Sequence, residues 1–150
     1  MQKLKHTPRS GSSTYELDFY AWAVTNAKLL RAGRLSEADV TNIAEELESM
    51  GRSEKRELIN RLTVLLAHLL KWRFQAKRRS RSWAATIVEQ RLQSLGLIAD
   101  SPSLSPELSE KFAEAYVNAV KIAEKETGLR FPEKCPFTLE ETLDENFWPE

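Results

Sequence analysis

Residues 62–70, "LTVLLAHLL", decide how this chain folds. Leu58, Leu62, Leu65, Leu66 and Leu69 are spaced three and four apart, and Ile59 and Leu70 widen the face they form. That is helical spacing. Within the nine residues the apolar side chains run nearly all the way round, which is the mark of a buried helix. The pattern begins near Ser53 and extends to about Ala76.

Reading outward, almost every other segment also has a helical period. Asp18 is an N-cap for "FYAWAVTNAKLLRA", and Gly33 follows as a left-handed stop. Phe19, Trp22, Ala23, Ala27 and Leu30 line one side of that helix. "SEAD" starts the next one with a capping-box arrangement, Ser36 with Asp39. Val40, Ile43, Ala44, Leu47 and Met50 form its stripe, and Gly51 ends or bends it. Beyond the leucine helix comes a short basic link. Ser80 or Ser82 then caps a helix through "WAATIVEQRLQSLGLIA". "DSPSLSP" is the clearest break. Ser105 as N-cap, Pro106 at the first position and Glu107 in the first turn open the last long helix. Its face is Leu108, Phe112, Ala115, Ala119 and Ile122, and it stops at Gly128. The ending "FPEKCPFTLEETLDENFWPE" holds a capping box, Thr138 to Glu141. Its Phe137, Leu139, Leu143, Phe147 and Trp148 are expected to pack back on the helices. No segment shows a sustained period-two pattern, so the expected class is all-α: a compact bundle of about five helices with a packed C-terminal tail.

The chain's 150 residues fit one domain. Residues 1–13 read as a disordered tail and 14–150 as a single helical domain. With 41% hydrophobic and 29% charged residues, the composition is that of a soluble globular protein. There is no long apolar run and no signal peptide, so the expected compartment is the cytoplasm, without membrane association. The single Cys135 in "EKCPF" fits a reducing environment and reads as a loop thiol.

Together, "DFYAWA", "LLRAGRLSEADVTNIAEELESMGRSEKREL", "LLAHLLKWRFQAKRRSRSWAATIVEQR" and the ending "ETGL…CPFTLEETLDENFWPE" resemble a bacterial family common in cyanobacteria. That family is catalogued as domain of unknown function 29. The resemblance runs from about Tyr15 to Glu150. It implies a compact helical protein of prokaryotic origin and transfers no activity to any residue, so function has to be argued from chemistry.

Most chemistries find no support. A di-iron bundle needs Glu-x-x-His pairs, and no glutamate lies three residues before His6 or His68. Cys and His are too few and too scattered for zinc, and Glu45, Glu46 and Glu48 read as a solvated acidic face. No metal and no cofactor is implied. Glycine-rich phosphate loops and nucleophile elbows are missing as well.

His68 lies in a row with Glu57 and Arg61, each within about 20° of it on a helical wheel. An Arg with six residues before a His on a helix resembles the motif of the HEPN ribonucleases, small all-α domains that usually act as dimers. That resemblance implies His68 as general base on a ribose 2′-hydroxyl and Arg61 as the group that steadies the phosphate. The polar residue that usually follows the Arg is Leu62 here. With twelve arginines in the chain, such a spacing also arises by chance. The plainer reading makes His68 a polar fastener, bonded to Glu46 or Glu48 of the preceding helix.

Charge is unevenly placed although the net charge is zero. Residues 52–91 hold eleven basic and three acidic groups, and residues 92–150 hold five basic and twelve acidic. Lys71, Arg73, Lys77, Arg78, Arg79 and Arg81 fall among Trp72, Phe74 and Trp83. Basic residues mixed with aromatics suit single-stranded nucleic acid. The macrodipole explains Lys71, Arg73 and Lys77 at a helix C-terminus. It does not explain Arg78, Arg79 and Arg81, which need a ligand or an internal acidic partner such as Glu140, Glu141, Asp144 and Glu145. The leading expectation is therefore a protein-interaction module without catalytic activity of its own, binding a partner or itself. Nucleic-acid binding through residues 71–81 comes second, and a ribonuclease using Arg61 and His68 third.

Overall fold

In a computed structural model of the chain, the backbone is described from residue 10 and the side chains from residue 14, both to residue 150. Six α-helices follow one another: α1 (Ser10–Leu17), α2 (Phe19–Arg31), α3 (Val40–Phe74), α4 (Arg81–Asp100), α5 (Leu108–Thr127) and α6 (Leu139–Leu143). Short 3-10 turns occupy Leu35–Glu37, Ala76–Arg78 and Pro102–Glu107. No strand occurs among the described residues, so the fold is all-α. Residues 1–9 of the expected tail lie outside the described residues, and residues 10–13 form the start of α1. Two compact units divide the chain, residues 1–52 and residues 53–150, where the sequence suggests one domain. The boundary falls inside α3, which runs 35 residues without a stop at Gly51.

Local chemistry sets most helix ends. The Asp18 carboxylate accepts the Ala21 N–H (3.0 Å), and Ser80, rather than Ser82, accepts the Trp83 N–H (3.2 Å). Thr138 and Glu141 exchange side-chain and backbone bonds in a complete capping box. Gly128 ends α5 with φ at 75°, a left-handed conformation that glycine adopts without steric cost. Two expected starts are corrected. Ser36 lies in a 3-10 turn, and Asp39 receives the Asn42 N–H (3.4 Å) at the entrance to α3. Ser105 and Pro106 also lie in a 3-10 turn, and α5 begins only at Leu108.

The second unit has a continuous core. Leu58, Leu62, Leu65, Leu66, Leu69 and Leu70 of α3 meet Ile87 of α4 and Ala115, Ala119 and Ala123 of α5. Phe131, Phe137, Leu143, Phe147 and Trp148 close the cluster from the C-terminal segment. Of the expected tail residues, Phe137, Leu143, Phe147 and Trp148 join the cluster and Leu139 does not, with Trp148 tilted against Trp72 at 4.9 Å between ring centres.

The first unit is thinner. Its buried hydrophobic residues are Trp22 and Ala38. A polar knot joins α2 to the start of α3: the Trp22 indole N–H donates to Asp39 (2.9 Å), and the Asp39 N–H donates to Asn26 (2.7 Å). The stripe Val40, Leu47 and Met50, expected in a core, is exposed, and so are Phe19 and Leu30 of α2.

Leu66→Ala should lower stability by about 2–5 kcal/mol, the usual cost of emptying a leucine site in a close-packed core. Leu47→Ala, on the exposed stripe, should cost far less. Urea unfolding of the two variants checks this; equal losses would contradict the division of the α3 faces.

Candidate functional site

The basic stretch that looks like one surface in the sequence is divided by the fold. Lys71 is buried, and its ammonium is 2.8 Å from the Glu126 carboxylate and 5.2 Å from the centre of the Trp83 ring. Arg79 also turns inward. Its Nε donates to the Trp72 carbonyl (2.7 Å), an Nη to the Pro149 carbonyl (3.2 Å), and the guanidinium covers the Trp72 ring. Arg73, Lys77, Arg78 and Arg81 are exposed. Of the three arginines that the helix dipole leaves unexplained, one is thus held inside the fold.

The expected acidic partner is not what Arg79 finds. The C-terminal segment meets arginines with main-chain carbonyls rather than with Glu140, Glu141, Asp144 or Glu145. Among the described residues, no ion pair joins those four acids to the basic run.

The main arginine in this arrangement is Arg91, which the sequence gives no reason to single out. It is 2% exposed in the middle of α4. Its Nε donates to the Thr142 carbonyl (2.8 Å), and an Nη donates to the Phe147 carbonyl (2.8 Å) and, at longer range, to that of Glu141 (3.4 Å). The Trp148 ring lies 5.5 Å from the guanidinium. Burial pulls the Arg91 pKa down, opposed by nearby Asp144. Arginine's ordinary value is so high that the charge stays, and three carbonyls answer it.

His68 and Arg61 are each held by another group. Arg61 donates to Glu57 (2.8 Å), one helical turn away, as their shared row on the wheel implies. His68 is half-buried, and its Nδ1–H donates to the Val64 carbonyl (2.9 Å) of its own helix. The fastening to Glu46 or Glu48 suggested by the sequence is therefore replaced by a bond within α3, and Glu46 accepts the Tyr15 hydroxyl instead. Burial lowers the His68 pKa, with Lys71 acting in the same direction. The ring is thus set up to stay neutral, with Nδ1 carrying its proton.

Cys135 is half-buried, and burial pushes its thiol pKa up, which makes it a poor nucleophile. Among the described residues, no three His, Cys, Asp or Glu side chains gather closely enough to hold a metal ion. No helix there is long and apolar enough to cross a membrane.

Several outward features remain after these assignments, among them two that bear on function. The first unit carries a row of exposed apolar side chains, and the second has a small cleft beside Lys71 lined by Gln75, Arg78, Trp83, Glu126 and Thr127. A family model described as "Domain of unknown function DUF29" matches residues 14–148. No curated protein and no solved structure matches the chain.

Two expectations follow from the held groups. Arg91→Ala leaves the Thr142 and Phe147 carbonyls without donors and should cost about 3 kcal/mol or more. Arg91→Lys should recover only part of this, since an ammonium lacks the fork. Chemical denaturation checks both. For His68, the folded pKa lies below the unfolded value near 6.5, so between the two the unfolded chain binds more protons. The contribution from the neutral ring is complete above about pH 6.5 and is lost as pH falls through the folded pKa. A nuclear magnetic resonance titration should place the His68 midpoint below 6.5, and His68→Gln should flatten the stability profile in that window.

Proposed function

We propose, from the premise that the chain belongs to the DUF29 family, that it is a protein-interaction module without catalytic activity of its own. Its contact surface is the apolar side of the first unit, and a second copy of the chain is the partner. The carrying observation is the exposure of Leu17 (87%), Tyr20 (79%), Leu47 (61%) and Met50 (63%), with Phe19 and Val40 also more than half exposed.

Spacing supports the reading. Tyr20 and Val24 fall four apart on α2, and Val40, Ala44 and Leu47 fall four and three apart along α3. Each set shares one helix face. Single exposed apolar residues are ordinary, but rows of them mark contact sites. Burying six such side chains gains on the order of 10 kcal/mol gross at about 1.5–3 kcal/mol each. Association costs about 4–15 kcal/mol, so the row is of the size that can hold two proteins together. A two-fold pair would let each hairpin cover the same stripe on the other. The pairing of Arg61 with Glu57 weighs against the phosphate-steadying role that its spacing suggests, whereas the His68 bond to Val64 runs through Nδ1 and does not involve Nε2. The cytoplasm is the proposed compartment, which suits a lone thiol.

Light scattering after size exclusion tests the reading. The expected mass exceeds the 17.2 kDa of one chain and rises with concentration. Leu47→Glu with Met50→Glu should return it to 17.2 kDa while circular dichroism shows unchanged helicity. A wild-type chain that stays at single-chain mass at every concentration overturns it.

A further inference from the structure

We propose that the cleft beside Lys71 in the second unit is a binding site for a small phosphate-class oxyanion. Its lining is rich in donors that the protein leaves open. The Lys71 ammonium has three N–H donors, and Glu126 takes one of them at 2.8 Å. Arg78 lies on the exposed 3-10 turn and lines the cleft, and among the described residues no acceptor meets its guanidinium. Gln75 brings a side-chain amide and Trp83 an indole N–H, neither bonded to an acceptor among the described residues. Glu126 is the one carboxylate of the lining, and Thr127 is occupied, donating to the Ala123 carbonyl while accepting the Leu129 N–H.

Charge and size together select the ligand. Two cations against one carboxylate leave the cleft with a surplus of one positive charge. Glu126 repels an incoming anion, but its side chain is 52% exposed, whereas that of Lys71 is 10% exposed. The carboxylate's field is therefore the better screened of the two. Arg78 offers the planar fork that matches two oxygens of a tetrahedral oxyanion, and Lys71 offers a point charge behind it. The Trp83 ring forms the wall against which the Lys71 ammonium rests. The cleft measures about 180 Å³. Pockets for drug-sized ligands run to about 300–1,000 Å³, so this open cleft is on the scale of a small ion rather than of a whole nucleotide. At about 30 Å³ per water, the space equals roughly six waters, enough for a phosphate with part of its hydration. The site is independent of the first unit's apolar face and does not rest on the self-association reading.

Calorimetric titration of the full chain with inorganic phosphate, in a phosphate-free buffer of low ionic strength, tests the site. The expected result is saturable binding at one site per chain in the millimolar range or tighter. Arg78→Ala should weaken it at least about tenfold, the scale of a lost charge-assisted fork. This residue is on an exposed turn, so folding is retained, and an unchanged thermal melt confirms that. Arg81→Ala removes a neighbouring exposed charge outside the cleft and should leave affinity within about twofold, the screened surface contribution. No saturation by millimolar phosphate overturns the proposal. So does equal affinity in Arg78→Ala, and so does an equal loss in Arg81→Ala, which would reveal diffuse attraction to the basic surface.

Discussion

A deeply buried guanidinium organises the second unit. Arg91 cannot shed its proton, and α4 holds it almost entirely beneath the surface. Some acceptor has to come to it. The fold brings three main-chain carbonyls from the stretch around α6, which obliges that stretch to wrap across α4 and sets Phe147 and Trp148 down on the core. A carboxylate partner would have required desolvating a second charge, and buried ion pairs often fail to recover that cost. Carbonyl dipoles answer the charge without it. Arg79 repeats the device on a smaller scale, joining the end of α3 to Pro149.

The two units differ in what holds them. Residues 53–150 close around leucines and alanines, with aromatic rings as the outer layer. Residues 14–52 hold together chiefly through Trp22, Asn26 and Asp39, whose hydrogen bonds fix α2 to the entrance of α3. Hydrogen bonds give this hairpin a definite shape, but they bury little apolar area. Its exposed side chains follow from that thin core.

Much of this was legible before any coordinates. The all-α class follows from the leucine spacing, and Asp18, Ser80, Thr138 and Gly128 mark helix ends because each acts on its own neighbours in sequence. Where the sequence misleads, distant partners decide. The Val40–Met50 stripe has core spacing, but spacing does not say whether a cover exists. Gly51 looks like a stop, yet an exposed glycine within a helix costs only about 1 kcal/mol and the flanking turns carry it. Arg91 sits in "VEQRLQ" among polar neighbours and looks like a surface charge. Its acceptors are backbone oxygens, which every residue has, so no pattern of side chains announces them. Arg79 escapes for the same reason, while Lys71 and Glu126 are 55 residues apart with nothing local to pair them.

Because Arg91 grips the backbone, the C-terminal segment is constrained in length more than in composition. The carbonyls of Thr142 and Phe147 must arrive together at one guanidinium, and the four residues between them form the arch that allows it. Glu145 and Asn146 are exposed along that arch, while the Asp144 carboxylate accepts the Asn146 N–H (2.9 Å) and supports the Arg91 charge. The identities of Glu145 and Asn146 can drift with little effect on the grip. A single inserted or deleted residue would put the second carbonyl out of reach, so this stretch behaves as a ruler whose markings are peptide units.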